Sequence, residues 1–391
     1  MQSITKEKTP FWRNKRIVPT LLQALFLILI VSTIAYFFLN SVQGLKKIGI
    51  TLGFHFLTSN ASFSISDTLI DFSPSDSYGK AMLVGLLNTL KVSVLGIIFS
   101  ILIGLIIGIA RLSTNGLARL FAATYIEIFR NIPLLVQITM LYLVVFLPLP
   151  RIENSIHFFD IAYLSNRGNA IPWFAVHSGW GVWLVLLIFG LFLARYIWKV
   201  RIAKQMETGV RAFSMLWGAG ATIFVFLIAF VITGQSPLSI SVPVINGKSF
   251  SGGYVISSEF ASILLGLITY TSAFIAEIVR GGILAVPKGQ TEAAKALGLK
   301  KSTILRLIIL PQANRIIIPP ATSQLLNLIK NSSLAVAVGY SDLFSVGNTI
   351  INQTGRAIEM IALIGGVYLA LSLLTSLLMN MFNKHYQLIE R

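Results

Sequence analysis

The sequence predicts an all-α polytopic membrane protein with about eight transmembrane helices. Three observations lead there. Of 391 residues, 55% are hydrophobic and only 12% are charged, whereas a soluble domain carries about 25% charged residues. Uncharged apolar runs of roughly 20 residues recur, each long enough to cross about 30 Å of hydrocarbon; a β-barrel would show alternating segments of about 10 residues instead. The basic residues, finally, gather in the short connections between the runs.

The net charge of +17 would also suit a nucleic-acid binder. Placement argues against nucleic acid and for a lipid bilayer, because Lys and Arg fall where the positive-inside rule puts them. The chain has no Cys, which excludes disulfides and Cys-ligated metals. His55, His157, His177 and His385 make no metal-ligand spacing. No G-x-x-x-x-G-K-[ST] loop, no H-E-x-x-H and no pair of carboxylates spaced for acid–base work occurs. The expectation is no catalytic residue, no metal and no cofactor. If transport is driven, an ion gradient or another subunit must supply the energy.

The elements follow in order. Residues 1–16 hold five basic residues and one acid and are placed in the cytoplasm. The first apolar run, Ile17 to Phe38, is too long for the hydrophobic part of a signal peptide and reads as an uncleaved span. Spans are expected at about 17–39, 81–110, 120–147, 174–194, 212–233, 254–279, 308–329 and 358–382. Segments 1–16, 111–119, 195–211, 280–306 and 384–391 then lie inside and carry 20 of the 31 Lys and Arg residues, against seven in 41–80, 148–173, 234–253 and 331–357. Shifting the reading by one span would reverse that balance, so both termini are placed in the cytoplasm. The external segments are rich in Ser, Asp, Gly and Pro and carry turn signals. The basic segment 195–211 reads as an anchor at the lipid headgroups.

Charges at membrane depth cost about 2.5–3.5 kcal/mol each on insertion scales, yet a few are kept. Glu127 and Arg130 lie three residues apart, and so do Glu277 and Arg280, in a shared E-I-x-R pattern. Such a pair can neutralise itself, or its members can line a hydrated path or its cytoplasmic mouth. Pro133 should break the helix after Asn131 and Ile132, and a cavity or a neighbouring helix must then satisfy the freed carbonyls. Arg130, Asn131 and Gln137 could present donors and an acceptor to a zwitterionic or carboxylate solute. Asn327, Lys330, Asn331, Ser332 and Ser333 interrupt the apolar pattern after the seventh span, as a helix end at the outer surface or as a re-entrant segment. Pro311, Pro319 and Pro320 imply that this span is not a straight helix.

One polar stretch, "QTEAAKALGLKKSTILRLIILP" (residues 290–311), sits among these spans. Its EAAKAL portion is strongly helix-forming. Gly298 fits a left-handed helix-ending residue, and Ser302 an N-cap for a second helix entering the membrane. Ala293, Ala296 and Leu297 would form a small, shallow apolar face that lets another protein come close. A helix lying among the headgroups is the alternative.

The spacing Glu292-Ala293-Ala294, Gly298, Ile308, Leu310-Pro311 resembles the EAA motif of permease subunits from bacterial ABC importers. "GLLNTLKVSVLG" (85–96), "RNIPLLVQ" (130–137), "AFIAEIVRGGILAVPKGQTEAA" (273–294) and "NSSLAVAVGYSDL" (331–343) are similar to the polar amino-acid branch of that group, the histidine/glutamine permease family, in its long-subunit form. The resemblance implies a type I importer core of five spans with extra spans added. Residues 1–80 would be an N-terminal span with an external segment, 81–150 and 254–391 the two parts of the core, and 151–253 an insertion with two spans.

The resemblance further implies ATP-driven import of L-amino acids (glutamate, glutamine, aspartate, asparagine or a broader set) across the bacterial inner membrane by alternating access. Hydrolysis would fall to separate ABC ATPase subunits. A second permease subunit, different from this chain, and a periplasmic solute-binding protein would complete the assembly. Glu292, Ala293, Ala294 and Gly298, in a cytoplasmic helix within 290–302, carry over as the ATPase-coupling site. Arg130, Asn131, Pro133, Gln137, Glu277, Arg280, Asn331, Ser332 and Ser333 are candidates for the translocation path. Two rivals stand beside this expectation. An ion-coupled secondary transporter would use Glu127 or Glu277 as a proton site and would want inverted repeats. A non-transporting membrane scaffold explains the composition but none of the polar blocks.

Overall fold

The computed structural model describes residues 17–47, 49, 53–175, 180–210, 213–234 and 239–386. The expectations for the basic N-terminal segment 1–16 and for the last residues, 387–391, lie outside the described residues.

The first helix, α1 (Ile17–Lys47), is apolar along its length and ends on Lys46 and Lys47, cations that suit a helix C-terminus. Residues 53–77 form a closed loop. Ala61 N–H donates to the Asp76 carbonyl at 2.7 Å and Ser62 N–H to that of Pro74 at 2.8 Å. The Asp76 carboxylate accepts from Ser73 N–H at 2.8 Å and from Lys80 Nζ at 2.9 Å; the Ser73 amide, then Lys80, hold it below the usual carboxylate range. Helix α2 (Tyr78–Arg111) follows. Next comes α3 (Gly116–Asn131), started by Asn115, whose side-chain oxygen accepts from the backbone N–H of Leu117 and Ala118, the capping geometry expected of Asn. Helix α4 (Leu134–Met140) runs on as a π-helical turn, Leu141–Phe146.

The next stretch departs from a purely helical reading. Strands β1 (Ile156–Phe158), β2 (Ala162–Ser165), β3 (Gly168–Ile171) and β4 (Trp173–Ala175) precede α5 (Trp180–Thr208) and α6 (Ser214–Thr233); β5 (Ser239–Ser241), β6 (Val244–Asn246), β7 (Ser249–Ser251) and β8 (Tyr254–Ile256) follow. The main sheet has the order β1-β2-β3-β8, all antiparallel, and β4 pairs with β5 and β6 with β7. The strands are three or four residues long, too short for alternation to stand out in the sequence.

Helix α7 (Ser258–Leu284) is capped by Ser257, which accepts from Phe260 N–H. After α8 (Lys288–Ala296) and α9 (Lys301–Ile304), a π turn, Leu305–Ile309, passes into α10 (Leu310–Asn331). A 3-10 segment, Ser332–Val338, leads to α11 (Leu343–Thr354), capped by Asp342 through Ser345 N–H at 2.9 Å, and then to α12 (Ala357–Tyr386).

Among the described residues, six helices are long and apolar enough to cross a membrane, or eight segments if each of two bent pairs counts as one. Each of the eight expected spans has its counterpart. The span expected at 120–147 is broken: α3 and the α4–π segment meet at 102°, where Pro133 follows Ile132. The three-proline span is irregular, although α10 continues through Pro319 and Pro320. Its irregularities lie at the ends, in the π turn before Pro311 and in a 53° bend before α11. A π turn absorbs a lost N–H by shifting the hydrogen-bond register. Gln312 Nε2 also donates to the Ile308 carbonyl at 3.0 Å.

The chain divides into two compact units: residues up to 94 with 286–336 and 341–391, and residues 95–285 with 337–340. The core of the first gathers Phe56, Tyr78, Met82, Leu343, Val346, Ile350, Met360 and Ile364. A charged knot lies at its edge. Glu359, only 4% exposed, pairs with Arg356 at 3.2 Å and accepts from Gly53 N–H at 3.2 Å, while the Arg356 guanidinium lies 5.0 Å from the Phe56 ring centre.

In the second unit α7 is the central element. Ile107, Ala122, Ile126 and Ala276 form a buried cluster where α2, α3 and α7 meet. Here α2 presents Gly104 and Gly108 to α7. A Cβ at Gly108 would lie 2.7 Å from the Ala276 carbonyl oxygen, and one at Gly104 2.6 Å from Ile275 Cγ2. Small residues at such points let helix backbones approach closely in membranes. Gly108→Ala should therefore lower stability by about 1–3 kcal/mol, the range for overpacking, because the obstructing atom is backbone. Gly365→Ala in α12, where a Cβ meets nothing within 4 Å, should be neutral in the same thermal-unfolding assay of detergent-purified protein.

Candidate functional site

Helix α8 is short and sharply ended. Gly298 adopts φ +75°, and two hydrogen bonds close the turn: Leu299 N–H to the Ala294 carbonyl at 3.2 Å and Gly298 N–H to that of Lys295 at 2.9 Å. This pair of bonds is the Schellman arrangement, which favours Gly at the left-handed position. Nothing lies within 4 Å of a Cβ added there, so the requirement for Gly is conformational rather than steric. Glu292, Ala293 and Ala296 are exposed, and Leu297 is 79% exposed. Ala294 is buried on the side that packs against α9 and the π turn. Glu292, Ala293 and Gly298 thus lie on accessible surface, and Ala294 seats the helix.

The second helix begins two residues earlier than its sequence suggests. Lys300, not Ser302, is the N-cap, with no side-chain capping bond. Ser302 lies inside α9, which is only four residues long before the π turn takes over, and its hydroxyl is not in position to cap.

The polar candidates in the second unit cluster around the break after α3. Gln137, 5% exposed, donates through Nε2 to the carbonyls of Phe129 and Ile132, both at 2.9 Å. Its Oε1 accepts from Thr269 Oγ1 at 3.4 Å. Gln137 therefore satisfies the carbonyls that Pro133 leaves without an α-helical donor. The two E-I-x-R pairs behave differently. Glu277 and Arg280 form a bidentate ion pair, Nε to Oε2 at 3.0 Å and Nη2 to Oε1. Glu127 instead accepts from Asn131 Nδ2 at 3.3 Å, and Arg130 lies over the Phe274 ring, 5.1 Å from its centre. Arg130 and Arg111 also act electrostatically on Glu277. Of the two carboxylates, only Glu277 is thus held in an ion pair.

In the first unit, Ser332 and Ser333 return their hydroxyls to the carbonyls of Ile329 and Lys330, at 2.7 and 2.8 Å. Ser332 is buried, while Asn331 and Ser333 are partly exposed. The hydroxyls cap the end of α10 where the chain tightens into the 3-10 segment.

Several polar groups that sequence reasoning passed over are structural partners here. Tyr125 OH lies 2.7 Å from Ser272 Oγ and 3.3 Å from the Thr269 carbonyl. Tyr142 OH donates to Glu259 at 3.2 Å. Asp342, fully buried, accepts from Tyr368 OH at 3.0 Å. The Arg356–Glu359 pair had a signal in the sequence, charges three residues apart at the start of an apolar run. Hydroxyl-to-carbonyl contacts between distant helices had none. Gln137→Met should cost about 1–3 kcal/mol for each buried carbonyl left unpaired, read as a lower unfolding temperature. Asn131→Ala, whose side chain is exposed, should leave that temperature unchanged.

Comparison with known proteins matches residues 187–387 to the family described as binding-protein-dependent transport system inner membrane component. Three relatives cover nearly the whole chain. The putative amino-acid ABC transporter permease protein YhdX of Escherichia coli (strain K12) is 44% identical over 97% of this chain and 96% of its own. The general L-amino acid transport system permease protein AapQ of Rhizobium johnstonii is 46% identical over 94% and 92%. The glutamate/glutamine/aspartate/asparagine transport system permease protein BztB of Rhodobacter capsulatus is 38% identical over 95% and 94%.

Proposed function

We propose that this chain, which belongs to the family of binding-protein-dependent transport system inner membrane components as a permease of the amino-acid ABC importer group, moves L-amino acids inward by alternating access, with α8 as its contact to the ATPase. A permease of this family works with ATPase subunits and a binding protein. The substrate class follows the relatives, whose names give general L-amino acids in one case and glutamate, glutamine, aspartate and asparagine in another. Both termini lie in the cytoplasm of a bacterial cell, and the membrane is the inner one. The second permease is a different chain.

The observation that carries the proposal is the form of α8. It is nine residues long, stopped by Gly298, with small exposed side chains at Ala293 and Ala296 and a bare leucine at 297. A helix meant to lie in lipid headgroups would bury bulkier residues and carry more Lys. The ion-coupled alternative wants an acid free to exchange protons; of its two candidates, Glu277 is held by Arg280, and Glu127 accepts a hydrogen bond from Asn131.

The path candidates divide by role in this reading. Arg130, Asn131, Glu277 and Arg280 supply polar atoms to solute or to its cytoplasmic exit. Pro133 and Gln137 shape the broken helix that allows a hydrated path, and Asn331, Ser332 and Ser333 shape the second one. The domain organisation is proposed as 1–80, 81–150, 151–253 and 254–391, with 81–150 and 254–391 forming the five-span core.

Purification with co-produced partners tests the coupling assignment. Glu292→Lys and Gly298→Val should abolish ATPase association and binding-protein-stimulated uptake while the chain still inserts. Uptake that survives both substitutions and follows a proton gradient would sink the importer reading.

A further inference from the structure

The external segments 148–173 and 234–253 carry only three basic residues, Arg151, Arg167 and Lys248. All three line one cavity of about 350 Å³, together with Ile152, Glu153 and Asn166. They arrive there from separate turns. Arg151 precedes a 3-10 turn, Ile152–Asn154. Arg167 sits in the two-residue β2–β3 turn, which Asn166 N–H ties to the Pro150 carbonyl at 3.0 Å. Lys248 lies in the β6–β7 turn, where Gly247 takes φ +58°; Phe250 of β7 packs on Tyr163 of β2 at 5.7 Å between ring centres.

None of these cations joins an ion pair among the described residues, and the single acid at the cavity, Glu153, leaves a positive excess. Asn166 Oδ1 is buried there without a hydrogen-bond partner. Like charges held together unpaired raise the energy of the free protein and favour an anionic occupant.

We propose that this cavity receives acidic side chains from a water-soluble protein partner, which under the proposed function is the solute-binding protein. The partner's identity rests on that reading. The same strands favour a protein over a small solute. At the far end of β2, roughly 13 Å away at about 3.3 Å per residue, the β1–β2 hairpin turns through Phe159 and Asp160 at φ +52° and +53°. Phe159 is 93% exposed. A bulky residue held in the left-handed region is strained, and such residues cluster at functional sites. A footprint of about 800 Å² per partner spans both features, and Arg beside exposed aromatics is the composition of interface centres. Docking there would load the sheet at β8, whose Ile256 pairs with Asn169. After Ser257, α7 begins, and Ser258 Oγ donates to the Asn166 carbonyl at 3.1 Å.

The test uses the complete transporter in nanodiscs with its binding protein. Arg151→Glu with Arg167→Glu should weaken binding-protein affinity at least tenfold and flatten its salt dependence, with Arg167→Gln intermediate. Since the chain has no Cys, Arg167→Cys carrying a photo-crosslinker should trap the binding protein specifically. Unchanged affinity in the variants beside an active wild type would overturn the assignment and leave the importer reading standing. So would crosslinks confined to phospholipid, or protection of the label by free glutamate alone. A wild-type assembly that neither binds the binding protein nor takes up amino acids would overturn the proposed function, and this assignment with it.

Discussion

A helix can be broken inside a membrane only if every backbone carbonyl it releases finds a donor. At Ile132–Pro133 one side chain supplies two of those donors. The Gln137 amide reaches back to the carbonyls of Phe129 and Ile132, and Thr269 of α7 in turn holds its oxygen. The 102° turn between α3 and α4 and the packing of both on α7 rest on this closure. The polar residues near the break are therefore not equivalent. Some hold the backbone in shape, and others project from it.

The eight apolar runs were legible because span length and charge asymmetry are coarse signals averaged over about 20 residues. The helix end at Gly298 was legible because a left-handed residue after a run of strong helix formers has few alternatives. The break at Pro133 was readable from the missing N–H. What failed to show in the sequence depended on a third dimension. Pro319 and Pro320 look like breakers, yet α10 passes through them, with the register shift placed earlier, in the π turn. Glu127 and Arg130 match Glu277 and Arg280 in spacing. Only the latter pair meet, because Phe274 draws the Arg130 guanidinium away. The eight strands of three or four residues carry too few alternations to register.

Charge is used sparingly and in two ways. Within the spans, Glu277 is matched by Arg280 one turn along the same helix. Outside them, Arg151, Arg167 and Lys248 are left unmatched around one cavity. Like charges gathered in this way favour an anionic occupant.

The pairing of β3 with β8 sets residues 168–171 against 254–256, and β4 with β5 brings 173–175 against 239–241. The polypeptide therefore leaves and returns through nearly the same doorway, although α5 and α6 lie between. Those two helices make their close contacts with each other, Gly190 on Val225 and Gly218 beside Ala194. Such a segment is a cassette. A change of length between β4 and β5 would leave the pairing of β3 with β8, and with it the start of α7, in register.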